Sequence, residues 1–273
     1  MKEDFSALDR PEVVRFLFHP RRDPGGPSPA TDPPSIPGLV EVLLPVDDGV
    51  EVGARFHLGA RCYPNILLFH GNGEIAADYD ELGPIYHRLG INFLVFDYRG
   101  YGRSSGGPTA TAMMRDSHVL FARAEQWLRY RSFSGPLIVM GRSLGSASAI
   151  ELADTYPDRI AALIVESGFA FASPLLRRLG IDPAAIGFEE ETAFRHIEKI
   201  GRWQKPLLVI HAEHDHIIPF ADGRALYEAS PAACKRLLAI PGADHNTILA
   251  VGFAAYFEAI AEFAAAVVHH SSP

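Results

Sequence analysis

The chain has 273 residues, 48% of them hydrophobic and 21% charged, with 25 Lys and Arg against 33 Asp and Glu for a formal net charge of −8. This composition supports a large globular core and excludes a wholly disordered, collagen-like or disulfide-scaffolded chain. The acidic balance argues against a nucleic-acid partner, since no run of Lys and Arg is longer than a pair such as Arg21-Arg22 or Arg177-Arg178.

The N-terminus, Met1-Lys2-Glu3-Asp4, turns acidic too early for a secretory signal and has no apolar stretch behind it. Residues 1–10 read as a tail, and Val13-Val14-Arg15-Phe16-Leu17-Phe18 as a short docking helix. Seven prolines between 20 and 37 predict an extended surface segment, because proline removes donors and restricts its predecessor. The expected boundary therefore separates 1–38 from a folded domain over 39–270.

From Leu39 the pattern is regular. Leu39–Val46 and Val50–His57 alternate around Asp47-Asp48-Gly49, a hairpin signal. Short apolar runs follow at Ile66–Phe69, Ile91–Phe96, Leu137–Met140, Ala161–Val165, Leu207–Ile210 and Leu237–Ile240. Runs apolar on both faces suit parallel strands covered on both sides. Helical stretches lie between them, including Thr111–Tyr130, Leu144–Tyr156 and Asp222–Ala229. An antiparallel start followed by β-α alternation predicts one three-layer α/β domain. The segment 168–204 is a short insert with room for one or two helices. The closing stretch Val251–Val268 is interrupted by Glu258 and Glu262, so it reads as an amphipathic helix and no integral membrane segment is expected. Cys62 and Cys234 lie far apart and form no disulfide framework or zinc motif. The expected location is cytoplasmic.

The sharpest chemical feature is Gly141-Arg142-Ser143-Leu144-Gly145. The bare pattern is weak, but it follows an apolar strand and opens a helix, the context of a nucleophile elbow. Its glycines let strand and helix approach at the turn. The plain alternative is a serine N-cap in a glycine-rich turn. A serine needs a base, and His245 follows the last strand in Gly242-Ala243-Asp244-His245-Asn246. The base needs an acid to orient it. Asp215, just past Leu207–Ile210, is the candidate; Glu166 is the rival, and Asp244 adjoins His245 too closely to face it. The oxyanion donors are expected at the Leu144 amide and at the Asn72 amide in His70-Gly71-Asn72-Gly73-Glu74. Asp97-Tyr98-Arg99-Gly100-Tyr101-Gly102 reads as a structural loop near the elbow.

These motifs, with Phe96–Gly106, Gly141–Ser146, Pro206–Asp215 and Gly242–Asn246, resemble the successive signatures of α/β-hydrolase serine hydrolases over roughly residues 40–268. Phe194–Ile200 and Ala225-Leu226-Tyr227 resemble the abhydrolase-domain depalmitoylase branch and its bacterial relatives. The resemblance implies an α/β-hydrolase fold: a mostly parallel eight-stranded sheet covered by helices on both faces, with a small lid insert. It also implies the order nucleophile Ser143, acid Asp215, base His245. The membrane-targeted members of that branch carry a cysteine-rich, lipidated N-terminus, whereas residues 1–38 here contain no cysteine.

The expected activity is cofactor-free hydrolysis of a small-molecule acyl ester or thioester. An aminopeptidase-like amide hydrolase is the near alternative, with Asp182, Glu189, Glu190 and Glu191 available to hold a substrate ammonium. Against that, Phe169, Phe171, Leu175, Leu176, Leu179, Ile181 and Ile186 either line an acyl groove or pack the insert. His211, Glu213, His214, Asp215 and His216 can all ligate zinc, but neighbours on an extended segment point to opposite sides. A non-catalytic binding protein of the same fold is the remaining reading.

Overall fold

The computed structural model describes residues 3–24 and 38–271. Most of the proline-rich segment expected to be extended, 25–37, lies outside the described residues. The strands are β1 (Leu39–Asp47), β2 (Val50–His57), β3 (Asn65–Phe69), β4 (Asn92–Phe96), β5 (Leu137–Arg142), β6 (Ala162–Glu166), β7 (Leu207–Ala212) and β8 (Lys235–Ile240). They form one eight-stranded sheet in the order β1-β2-β4-β3-β5-β6-β7-β8. The β1–β2 and β2–β4 pairs are antiparallel, and every later pair is parallel. Each strand predicted from sequence is present, with ends shifted by up to two residues.

Alternation within the central strands divides the core into two layers. Leu67, Phe69, Leu94, Phe96, Val139, Leu163 and Val165 face one side. There they meet Leu120, Phe121 and Ala124 of the helix Ala110–Tyr130, and Ala149, Ile150 and Ala153 of the helix Ser146–Thr155. Ile66, Leu68, Phe93, Val95, Ile138, Met140 and Ile164 face the other, where Tyr86, Tyr256, Phe257, Ile260 and Phe263 cover them. Burying each large apolar side chain contributes roughly 1.5–3 kcal/mol, so this doubly covered sheet dominates the stability.

The C-terminal helix runs from Ile248 to Ser271 and bends at Gly252, where a Cβ would lie 2.5 Å from Ile240 Cγ2. The missing side chain at Gly252 thus leaves room for the Ile240 side chain against the helix. With a mean hydropathy of 1.6 over Ile248–His269, this helix is long and apolar enough to cross a membrane by length and composition. In the fold, its Tyr256, Phe257, Ile260, Phe263, Ala264 and Val267 are buried against the sheet.

The first residues are not a free tail. Phe5 and Leu8 are buried, as are Val13 and Phe18 around the helix Pro11–Leu17. The Phe5 ring lies 5.0 Å from that of Phe194, and Asp4 N–H donates to the Thr192 carbonyl. Two isolated apolar residues in a polar run have no periodicity, so only their tertiary partners reveal them.

Candidate active site

The C-terminal ends of β3, β5, β7 and β8 carry the loops that converge on Ser143. At the end of β5 the chain turns sharply, and Ser143 takes φ +51, a left-handed conformation that costs a non-glycine residue roughly 1–3 kcal/mol. The neighbouring glycines show what this turn demands. A Cβ at Gly141 would sit 2.4 Å from the Gly145 carbonyl oxygen, and one at Gly145 would sit 2.0 Å from that of Phe69. The first close approach folds the helix back onto its strand. The second presses the elbow against the loop after β3. Ser146 Oγ donates to the Ser143 carbonyl at 2.6 Å, satisfying the acceptor that the turn leaves over.

His245 reaches this serine from the loop after β8. Its Nε2 lies 3.0 Å from Ser143 Oγ, and its Nδ1 lies 2.7 Å from Asp215 Oδ2. Both ring nitrogens are thus engaged in one line of hydrogen bonds, with Nδ1–H donating to the carboxylate and Nε2 free to accept the serine proton. Asp215 Oδ1 accepts the Ile217 and Ile218 amides at 2.9 and 2.8 Å, which fixes the carboxylate on its loop. Burial resists ionisation of Asp215. Hydrogen bonds from His211, His245 and the Ile218 amide outweigh it and hold the carboxyl well below the usual carboxylate range.

The rival acid has other partners. Glu166 is buried at the end of β6, with Oε1 3.2 Å from Arg142 Nε and Oε2 accepting from Tyr256 O–H at 2.7 Å. Burial raises its pKa, partly offset by Arg142 and Tyr256. Asp244 turns away from the site and accepts from the Asn246 and Thr247 amides and the Thr247 hydroxyl. It organises the loop that leads into the last helix.

The loop after β3 lies beside the elbow. Gly71 N–H donates to Glu74 Oε2 at 2.8 Å, and Tyr98 O–H donates to the His70 carbonyl at 2.6 Å. Asn72 uses its carboxamide to bind Tyr101 and His19, at 2.7 and 2.8 Å. The Asp97–Gly102 loop therefore scaffolds the site, as its sequence suggests. Asp97 Oδ1 accepts the Ala76 amide, and Arg99 pairs with Asp116. Leu144 stands in the first turn of the elbow helix, where an amide has no intrahelical acceptor.

Sequence reasoning missed the charged network under these loops. Arg142, the second residue of the elbow motif, places Nε 3.1 Å from Glu74 Oε1 and 3.2 Å from Glu166 Oε1, while its Nη2 donates to the His245 carbonyl at 3.2 Å. This guanidinium thus ties the β3 loop, the end of β6 and the loop of His245 together. Burial opposes its charge, but Glu74 and Glu166 more than restore it. The usable signal was positional: a charge next to a buried turn at a strand end needs partners of opposite sign.

The acidic and histidine-rich stretch after β7 splits between two sides. His211 is buried and bonds the Ile218 carbonyl through Nε2 at 2.9 Å, whereas Glu213 and His214 point to solvent. Among the described residues no group of three such side chains could hold a metal ion. In the insert, the helix Ala172–Arg178 starts under Glu190, whose carboxylate accepts the Ala172 and Ser173 amides. Phe169, Leu176, Ile181 and Ile186 pack into the core, while Phe171 is 44% exposed.

Residues 63–183 match the family model for Hydrolase_4, described as serine aminopeptidase, S33. The chain is 30% identical to an uncharacterized Mycobacterium tuberculosis protein over 258 residues, covering 88% of this chain and 85% of that protein. It is 34% identical to the mouse alpha/beta hydrolase domain-containing protein 17C over 217 residues, 74% of this chain but only 61% of the relative. An esterase from Pyrococcus furiosus shares the fold at a TM-score of 0.69 and 19% identity, covering 90% of this chain and 97% of its own.

Proposed function

Since the chain belongs to the α/β-hydrolase superfamily, in its abhydrolase-domain branch, we propose that it is a serine hydrolase that cleaves an acyl ester or thioester. The observation that carries this reading is the hydrogen-bonded line Ser143–His245–Asp215, with the serine strained into a left-handed turn. In the proposed reaction Ser143 Oγ attacks the acyl carbonyl carbon while His245 Nε2 takes its proton. The carbonyl electron pair moves onto oxygen, where the Leu144 and Asn72 amides stabilise it. Collapse of this adduct breaks the bond to the leaving oxygen or sulfur, which takes the proton from Nε2. Water then attacks the acyl-serine with His245 as base, and the released serine regains its proton from His245.

Asp215 holds the Nδ1 proton in place and stays ionised, because its hydrogen bonds keep its pKa low. No cofactor enters the scheme. The amide-hydrolase alternative has one observation against it: Glu190, one of the four insert acids available to hold an ammonium, already caps a helix. The Pyrococcus relative is named as an esterase, which agrees with the ester reading. Fluorophosphonate labelling of Ser143, followed by p-nitrophenyl acyl esters against aminoacyl-anilides, tests both. Labelling with higher kcat/KM on the esters is expected, and higher kcat/KM on the anilides overturns the ester assignment.

A further inference from the structure

We infer that residues 19–22, outside the sheet and before it in the chain, complete the oxyanion side of the active site, with His19 as a positioning residue for Asn72. The inference rests on the serine-hydrolase reading above and adds to it a part of the chain that the elbow motifs do not include.

The Asn72 side chain is held from two directions. His19 N–H donates to Asn72 Oδ1 at 2.8 Å, and Tyr101 O–H donates to the same oxygen at 2.7 Å. His19 N–H can only donate, so Oδ1 must face it, and Asn72 Nδ2 is left to donate to His19 Nδ1 at 2.8 Å. The pair is therefore bidentate and self-consistent. His19 N–H also lies 2.8 Å from Tyr101 Oη, which closes a ring of three residues. The next residue of the loop is gripped as well: Arg21 Nε donates to the Gly73 carbonyl at 2.6 Å, and its guanidinium pairs with Asp78.

The strap itself is anchored. Gly102 N–H donates to the Arg21 carbonyl at 2.8 Å, Arg22 forms a parallel bridge with Gly102, and Arg22 Nη1 donates to the Ser104 carbonyl at 2.5 Å. Residues 19–22 thus lie between the Tyr101–Ser104 loop and the loop that carries Asn72. The physical consequence concerns pre-organisation. Asn72 and Gly73 follow a glycine, and Gly73 has φ +77, so the peptide that would donate to the oxyanion sits in an intrinsically permissive stretch. A donor stabilises developing charge only if it is already aimed, and a misplacement of about 1 Å can cost roughly 10²-fold in rate. Tethering the side chain of Asn72 and the carbonyl of Gly73 fixes the intervening peptides without placing any group of the strap on the substrate.

The test uses the full chain with His19→Ala, His19→Asn and Asn72→Ala. Asparagine places an acceptor oxygen where the histidine has Nδ1, so it keeps the bond from Asn72 Nδ2. The expected result is a kcat lowered ~10-fold or more in His19→Ala with KM nearly unchanged, and recovery of most of it in His19→Asn. Asn72→Ala keeps its own amide but loses all three side-chain bonds, whereas His19→Ala keeps the bond from the His19 backbone N–H. Asn72→Ala should therefore lose at least as much kcat as His19→Ala, and the double variant should be no worse than Asn72→Ala alone. An unchanged kcat in His19→Ala, a His19→Asn variant as slow as His19→Ala, or additive losses in the double variant each overturn the inference. Should His19→Ala fail to fold, the comparison of Asn72→Ala with wild type still decides, since a full kcat in Asn72→Ala contradicts the tether. Wild-type labelling of Ser143 by a fluorophosphonate separates the two levels: no labelling sinks the serine-hydrolase reading, whereas labelling with an intact His19→Ala kcat sinks this inference alone.

Discussion

Two histidines in this molecule are equally hidden and behave in opposite ways. His245 is 4% exposed and His57 is 3% exposed. His245 has Asp215 on one ring nitrogen and Ser143 on the other. His57, at the end of β2, makes no hydrogen bond through either nitrogen; Asp80 Oδ1 stands 3.5 Å from its Nε2, and it lies over the Phe93 ring. Gly83 packs so tightly beneath it that a Cβ would fall 2.1 Å from Nδ1. Burial, aided by Arg55, pushes the His57 pKa down to about 4, so that imidazole is a neutral packing group. The difference teaches that burial only removes water. What makes a buried imidazole useful is a partner on each nitrogen, and those partners come from distant loops.

The largest expected effect tests the useful member of that pair. Ser143→Ala should lower kcat by a factor on the order of 10⁴ or more, leaving what the amide donors and binding supply. Its melting temperature should stay close to wild type, because Ser143 gives up no buried ion pair. Persistent fluorophosphonate labelling of this variant would contradict the role of Ser143.

Next comes the acid. Asp215→Asn should cost roughly 10³–10⁴ in kcat, because an amide in that place favours the wrong tautomer of His245. Glu166→Gln should cost far less activity, since Glu166 serves Arg142 and Tyr256 rather than the base. Steady-state kinetics on both variants settle the contrast, and a more damaging Glu166→Gln reverses the assignment.

A stability measurement extends the comparison to the network below the site. Arg142→Met leaves the buried Glu166 and the half-buried Glu74 without their shared cation. Breaking a buried pair from one side typically costs about 3–5 kcal/mol. Urea titration should show a loss of that order in Arg142→Met, partly recovered when Glu166→Gln is added. Equal stability of Arg142→Met and wild type would mean that the network carries no weight.

The smallest effect belongs to His57 and has a sign set by linkage. Its folded pKa of about 4 lies below its ordinary 6.5. As pH falls from 6.5 toward 4 the unfolded chain takes up a proton that the fold refuses, so this group destabilises the fold in acid. Asp80 works the other way. Burial, with Glu41 and Asp23 and against Arg55, pushes it up to about 6 from 3.8, so the fold holds a proton there that the unfolded chain lacks as pH falls through that window. Replacing His57 by Leu removes only the first effect. The stability of His57→Leu relative to wild type should therefore rise between pH 7 and pH 5, by about 2 kcal/mol at most. A pH-independent difference would show that His57 titrates normally.

The strands and the elbow were readable because they rest on local rules. Apolar runs such as Leu137–Met140 have no polar face to hide, and the spacing of Gly141 and Gly145 reflects two steric contacts at one turn. Asp215 and His245 were readable by position, each just past a strand end, although the bond between them spans 30 residues of sequence. The contributions of Arg142, Glu74, His19 and Phe5 were not readable. Each depends on a partner from another loop, and neither composition nor periodicity encodes which loops meet.

The sequence alone determined a doubly covered α/β sheet, because short runs apolar on both faces, alternating with helical stretches, leave few other ways to bury that surface. It also determined where a strained serine turn must fall, because only glycine tolerates the contacts on either side of it. The tertiary structure decided which carboxylate faces His245, which one pairs with Arg142, that Phe5 packs on Phe194, and that His19 meets the loop carrying Asn72. Those outcomes turn on hydrogen-bond geometry and desolvation between side chains far apart in the chain, which exist only once the loops are brought together.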